Sequence, residues 1–391
     1  MKKKNLTVSL SILMAVLFMT SFILGTPSIC VSAETTETKE EGTDSKSSKA
    51  LPFDKAKDIS EMDIVEDNNA DGEDDHLYKF EVEKDGYIII NFEQKKDVGE
   101  HEIRIYNPEQ EEIFQAVCEE DMETYTSPQF SIGKGINYIN IHSNNNPELF
   151  TLSLQCEKNK YWESEPNDQI DQADEIRTDT LYKGNNVKKE DKDYYTFEAE
   201  ENGFITISFD HSNGAEAHNL TLFDSDSKEY CKLKVEKDQE TFTSQEISVN
   251  KGNNYFLIES PGNKDPYTFS VNYLAAEDWE SESNNNPDQA NAIENDTIYH
   301  GSNVSKDDSD YYSFTMDQDG EITIQFNQEK DVADHVITLY DTDKKEITSA
   351  TAGKDVDKFT TEKIKVKKGK NYICIRSDQN VKVYSIQVKT K

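Results

Sequence analysis

The sequence predicts an all-β protein of three tandem antiparallel β-sandwich domains that follow a cleaved signal peptide. Three observations carry that prediction. The first is a repeat at a constant spacing of 117 residues. It relates Gly86, Gly203 and Gly320; His101, His218 and His335; and Gly135, Gly252 and Gly369, each followed by Tyr138, Tyr255 or Tyr372. A period of this length matches a whole small domain and is far too long for a solenoid unit. The second is an apolar alternation of two: Ile88, Ile90, Phe92; Ile205, Ile207, Phe209; Ile322, Ile324, Phe326. Alternation of this kind marks strands with one buried face. The third is the turn chemistry between such runs, as in Glu201-Asn202-Gly203, Asn250-Lys251-Gly252-Asn253 and Pro261-Gly262-Asn263.

Along the chain, Lys2 to Lys4, the apolar run Leu6 to Leu24 and the small residues Val31-Ser32-Ala33 form a secretory signal peptide (1-33) cut after Ala33. Pro27 and Ile29 do not suit a lipoprotein site at Cys30. No later apolar run approaches the ~20 residues of a membrane span, so no transmembrane segment is expected in the secreted, extracellular product. Residues 34-50 are polar and lack aromatics, the composition of a disordered acidic linker.

The repeats then cover 51-158, 159-275 and 276-391. Each is expected to hold about seven or eight short strands, for example around Tyr195 and Phe197, Leu220 and Leu222, Ile247 and Val249, Phe256 and Ile258, and Tyr267 to Val271. Short helical pieces are expected at Ile170 to Ile176 and Pro287 to Ile293. Linkers at Gln155 to Tyr161 and Asn272 to Asp278 are short enough that neighbouring sandwiches should touch.

The formal charge of -36 becomes -39 once the leader and its three lysines are gone. Nucleic acid is not an expected partner, because phosphate binding needs clustered Lys and Arg. Acidity serves the solubility of an extracellular protein, and it also suits divalent cations. The second use has a motif. Copy two begins Trp162-Glu163-Ser164-Glu165-Pro166-Asn167-Asp168 and copy three Trp279-Glu280-Ser281-Glu282-Ser283-Asn284-Asn285. A second acidic cluster follows in each: Glu190, Asp191 and Asp193 before Tyr194-Tyr195, and Asp307, Asp308 and Asp310 before Tyr311-Tyr312. Glu-x-Glu-x-Asn in extended backbone puts three oxygen-bearing side chains on one side. Ca²⁺ takes about six to eight such hard ligands, whereas Mg²⁺ takes few from protein.

The phrases E-S-E-P-N, a glycine (Gly184, Gly301), D-x-D-Y-Y-x-F, G-x-I-x-I-x-F and G-x-N-Y together resemble the bacterial pre-peptidase C-terminal (PPC) domain, to which the collagen-binding modules of clostridial collagenases are similar. The resemblance covers residues 51-391 as three modules. It implies a jelly-roll-like sandwich, secreted, not catalytic and usually appended to proteases. It also implies Ca²⁺ ligands: Glu163, Glu165, Asn167, Asp168 and Asp193 with Glu190 or Asp191 in copy two. In copy three these are Glu280, Glu282, Asn284, Asn285 and Asp310 with Asp307 or Asp308. Copy one lacks paired glutamates and has His76 in place of Asp193 and Asp310, so no metal is expected there.

Tyr138, Tyr255 and Tyr372 alternate with inward Ile139, Phe256 and Ile373, so they should point outward, either as ligand-binding residues or as caps on the edge of the core. The resemblance implies the ligand-binding role. His101, His218 and His335 stand alone in each copy, without companion ligands, and should pack at a turn or strand edge. Only Cys118 and Cys156 share a copy, which makes them the pair open to a disulfide; Cys374 fills a strand position. No nucleophile elbow, P-loop or paired-Cys zinc pattern is present, and the protein is read as no enzyme. The expected function is a calcium-stiffened array that binds an extracellular protein or a cell-wall or matrix polymer. The alternative is a structural spacer or accessory protein of a secreted peptidase.

Overall fold

Alternation of inward and outward side chains is realised as ten strands per repeat among the described residues. The structure is a computed structural model that describes residues 51-60, 63-68, 75-144, 148-187, 191-260, 265-305, 308-331, 333-377 and 383-390. The signal peptide, the 34-50 linker, Glu190 and Asp307 lie outside the described residues.

The strands of the first module are β1 (Lys57–Asp58), β2 (Ile64–Asp67), β3 (Asp75–Val82), β4 (Gly86–Glu93), β5 (Glu100–Tyr106), β6 (Glu112–Cys118), β7 (Thr124–Thr126), β8 (Phe130–Ile132), β9 (Gly135–Asn144) and β10 (Phe150–Lys158). One sheet runs β1-β3-β9-β5-β6; the other runs β2-β10-β4-β7, with β8 also on β4. Both orders recur in the second module, from Asp174–Glu175 to Tyr267–Ala275, and in the third, from Asn291–Ala292 to Val383–Thr390. Pairing is antiparallel except at the short first strand, which joins β3 or its counterparts in parallel.

The helical expectation fails. Ile170–Gln172 is a single 3-10 turn, and the next residues, Asp174–Glu175 and Asn291–Ala292, are edge strands. One turn is too short to bury an apolar face as a helix, and the residues that follow pair with the neighbouring strand instead, Asp174 with Tyr195 and Asn291 with Tyr312. The linkers are also shorter than expected, because the last strands run on to Lys158 and Ala275.

Between the sheets, Ile88, Ile90, Phe92, Ile205, Ile207 and Phe209 are fully buried, as the alternation requires. Each such side chain contributes roughly 1.5–3 kcal/mol of transfer free energy. Gly135, Gly252 and Gly369 enter the long central strand at φ 128°, 106° and 116°, a region L side chains avoid. The buried asparagine two residues on (Asn137, Asn254, Asn371) donates through Nδ2 to the turn carbonyls of Gly133, Asn250 and Lys367 at 2.9–3.1 Å, which pins this turn.

Candidate metal centres at the module junctions

The acidic phrase of copy two folds back over its own sandwich. Trp162 bridges to Lys183 on one strand, and the phrase turns through a cis Glu165–Pro166 peptide. Glu163, Glu165 and Asp193 are all buried, with carboxylate oxygens within 4.8 Å of one another. Asp193 opens the strand Asp193–Ala199, so its side chain enters from the sheet while the glutamates enter from the linker. Glu165, Asp168 and Asp191 form a second group at the same spacing. In copy three Glu280, Glu282 and Asp310 converge in the same way, through a cis Glu282–Ser283 peptide.

Two phenols line each centre. Tyr195 Oη donates to Glu163 Oε2 at 2.6 Å, and Tyr267 Oη lies 3.1 Å from Glu163 Oε2 and 2.5 Å from Asp193 Oδ2. Tyr312 and Tyr384 repeat this around Glu280 and Asp310. Asn186 and Asn303 donate through Nδ2 to Asp193 and Asp310 at 2.8 and 2.7 Å. Gly184 and Gly301 must be glycine, because a Cβ would overlap the glutamate carboxylate and the phenol oxygens. Asp168 and Asn285 cap the following acidic turn, accepting from Lys192 and Ser309 backbone N–H at 3.2 and 2.9 Å. Asp191 and Asp308 accept from Val187 and Val304 N–H at 2.6 and 2.9 Å.

The electrostatics favour an added positive charge. Burial pushes the Glu163 carboxyl up to about 8 and that of Glu280 up to about 7. Burial, then the neighbouring carboxylates, raise Asp193, Glu282 and Asp310 well above the usual range. A divalent cation reverses this logic by supplying the opposite charge. The donors fit a hard cation, since all are oxygens. Asp193 Oδ1, Asn167 Oδ1, Glu282 Oε1, Asn284 Oδ1 and Asp310 Oδ1 are buried and accept no hydrogen bond. Both Nδ2 hydrogens of Asn284 are used, on Glu280 and Asn291 at 3.2 and 2.9 Å, while its buried oxygen has no donor. Buried acceptors without a donor are rare and costly, and a metal ion would satisfy them.

Each centre is also tied to the preceding sandwich. Ser131 of the first module donates to Glu163 Oε1 at 2.5 Å and accepts from Trp162 Nε1 at 2.8 Å. Ser248 of the second does the same to Glu280 and Trp279, at 2.9 and 2.8 Å. The cross-strand partner of each serine is aromatic and packs on that tryptophan, with Tyr87 at 4.8 Å and Phe204 at 4.4 Å between ring centroids. Val187 and Val304 join the apolar cores of the modules before their own. In the third module this cross-strand pair is Glu321 and Lys365. The acidic motif by itself does not mark Ser131, Ser248, their aromatic partners or the tyrosine pairs as parts of the centres. The signal for the second phenol was available, since Tyr267 and Tyr384 align with Phe150 in the copy that has no acidic phrase.

Copy one replaces the centre with an ion cluster. Lys57, Tyr78 and His76 meet Asp67 at 2.7, 2.8 and 3.3 Å. Partial burial acts against ionisation of Asp67, but the bonds from Lys57 and Tyr78 hold its carboxyl at about 2. The recurring histidines lie in the core and not at an edge: His101, His218 and His335 are at most 1% exposed, and Gln94 and Gln328 hold Nδ1 of His101 and His335. Burial lowers them to about 4, 3 and 4. Tyr138, Tyr255 and Tyr372 do lie opposite the buried Ile139, Phe256 and Ile373, yet Tyr372 is only 8% exposed and Tyr138 is covered by Phe53 at 4.9 Å. Of the three, Tyr372 does not project as expected: it is flanked by its cross-strand partners Ser313 and Tyr340, with Lys370 Nζ 5.5 Å from its ring centroid. Cys118 and Cys156 sit in opposite sheets and form no disulfide.

No family model matches the chain. Collagenase ColT of Clostridium tetani is 24% identical over 178 residues, which is 43% of this chain and 18% of that protein. The likeness is to part of a collagenase. The chain therefore spans about a fifth of the length of the curated relative it matches. Among solved structures, the PPC domain of a Bacillus anthracis collagenase is 19% identical, covering 25% of this chain and 93% of that domain at a TM-score of 0.22. The CBM22 tandem of Paenibacillus barcinonensis Xyn10C is 11% identical, covering 54% and 86% at a TM-score of 0.20. Among the described residues no helix is long and apolar enough to cross a membrane.

Proposed function

We propose that the protein is a secreted, non-catalytic PPC-like array in which Ca²⁺ at the second and third modules stiffens two junctions, presenting the sandwiches to an extracellular protein or polymer. The observation that carries this reading is the pairing of orphaned carboxylate oxygens with the Ser131–Glu163 and Ser248–Glu280 bonds. An ion drawn to those oxygens fixes the same glutamate that holds the neighbouring sandwich. Glu163, Glu165, Asn167, Asp168, Asp191 and Asp193 would hold it in module two, and Glu280, Glu282, Asn284, Asn285, Asp308 and Asp310 in module three. Calcium about 100-fold above Kd adds about 2.7 kcal/mol per site.

Small-angle scattering and thermal melting of the mature chain in calcium and in chelator test this reading. A longer, stiffer particle and a raised Tm are expected in calcium. An unchanged Tm and an unchanged scattering curve would remove calcium from the account.

One observation favours the alternative, a spacer or accessory of a secreted peptidase with no ligand of its own. Tyr372 is buried and Tyr138 is covered, so the outer tyrosines offer little contact area. Pull-down on collagen, cell wall and secreted protease, with Tyr255→Ala as the comparison, separates the two.

A further inference from the structure

The three modules fill one place in the sandwich differently. It lies between the edge strand β6, or its counterpart, and β7–β8 of the opposite sheet. In the first module Phe114 stacks on Phe130 there, with ring centroids 4.1 Å apart, and both are fully buried. In the second, Cys231 and Leu233 pack over a fully buried Ile247. In the third the same positions are Thr348, Ala350 and Ile364, all only half-buried. The lost volume leaves a cleft of about 310 Å³ lined by Ile324, Ile337, Leu339, Thr348, Ala350 and Phe359.

The strand beside this cleft is also unguarded. Glu346–Ala352 is the outer strand of its sheet and carries no charge after Glu346, with Ile347 38% exposed. The second module has exposed Lys232 and Lys234 on the equivalent strand, the usual protection of an edge against added strands. Across the cleft the third module gains Lys358 and Lys363, where the others have Thr241 and Glu246, or Thr124 and Gln129. Residues 346–366 carry four lysines and four acids, against no lysine and five acids in residues 112–132. In a chain of charge -36 this stretch carries no net charge, so an acidic segment meets less repulsion there than along the equivalent strands of the first module.

We propose that the third sandwich binds an acidic, extended segment of a partner protein, which adds as a strand to Glu346–Ala352 and places an aromatic side chain in the cleft beside Thr348 and Ala350. Phe114 shows the size of ring that the site accepts, and main-chain pairing with one side-chain pocket is a common mode of peptide capture. The 34-50 linker has no aromatic residue and is not that segment. The inference names the partner chemistry for an array read as a binding protein. It does not depend on the metal centres or on Tyr255.

The test uses the full mature chain and two labelled nine-residue peptides of alternating aspartate and valine, one with a central phenylalanine and one with alanine there. Fluorescence anisotropy should show the phenylalanine peptide binding at least roughly tenfold more tightly than the alanine one. Thr348→Phe, which refills the cleft as Phe114 does, should cost at least roughly tenfold in affinity with Tm held or raised. Ser349→Glu, which sets a like charge opposite the acidic strand at an exposed edge position, should weaken binding similarly and decides the matter should Thr348→Phe not fold. Chelator and Tyr255→Ala should leave binding unchanged, so failure of the calcium or tyrosine readings is seen separately. Equal affinity for the two peptides, no binding of either, or full affinity in a folded Thr348→Phe chain overturns the proposal.

Discussion

Replacing Ser248 by alanine probes the junction between the second and third modules at a single oxygen. Ser248 is fully buried; its Oγ accepts from Trp279 Nε1 at 2.8 Å and donates to Glu280 Oε1 at 2.9 Å. Alanine leaves the indole N–H without an acceptor in a residue that is 8% exposed, at a cost of about 1–3 kcal/mol. It also removes a bond to a carboxylate, worth about 1.5–3 kcal/mol, though Ser302 N–H still holds Glu280 Oε1 at 2.6 Å and keeps this loss near the lower end. The sum is about 3 kcal/mol, enough to lower Tm by about 10 °C or more in a domain of this size. The chain has two tryptophans, Trp162 and Trp279, one at each junction. In a Trp162→Phe background, urea unfolding followed by emission therefore reports the second junction alone. The midpoint should fall and the native emission should shift red as water reaches the indole. Lys365→Ala, at the equivalent exposed position of the third module, should change stability by less than about 0.5 kcal/mol. A Ser248→Ala chain as stable as its parent, with unchanged emission, refutes the coupling of centre to neighbour.

Other outcomes follow from the same geometry. Asp310→Asn, read by calorimetry, should weaken calcium binding at the third module by roughly tenfold or more, whereas His76→Ala should leave the calcium titration unchanged. Gly184→Ala should destabilise the second module by more than about 2 kcal/mol in urea, since the added methyl meets Glu163 and Tyr267 in a closed site. The core histidines set an acid limit. Their folded values lie below the unfolded ~6.5, so their contribution is complete above that pH and is lost as pH falls towards about 4. Each of His101 and His335 should cost up to about 3 kcal/mol over this window, and His101→Gln should flatten the urea midpoint profile between pH 6.5 and 4.

The fold was legible because its signals are local. Ile205, Ile207 and Phe209 declare their strand within five residues, and three copies of the pattern remove accidental matches. The acidic centre was half legible. Glu163 and Glu165 announce themselves by composition, but Tyr267 lies 104 residues from Glu163 and Ser131 belongs to another module, so neither shares a local pattern with it. The histidines misled because a polar residue before a strand reads as a turn, and only the glutamine seven residues earlier shows that a buried imidazole is satisfied. The short helices were misread because Ile170–Gln172, one isoleucine and two polar residues, holds too little apolar periodicity to distinguish a turn from a helix.

The contact that joins the modules is of the heterologous kind, one face of a sandwich meeting a different face of the next. Contacts of this type carry no symmetry that closes them, and repeated between molecules they grow into open filaments. Tyr87 with Ser131 and Phe204 with Ser248 form the receiving face twice, and the third sandwich has the opposed charges of Glu321 and Lys365 there. A tryptophan arriving from a second chain would have to strip water from both charges and would find neither an aromatic ring nor a hydroxyl acceptor. That pair of residues makes this face of the third sandwich a poor receiver, so the head-to-tail joint is disfavoured between molecules.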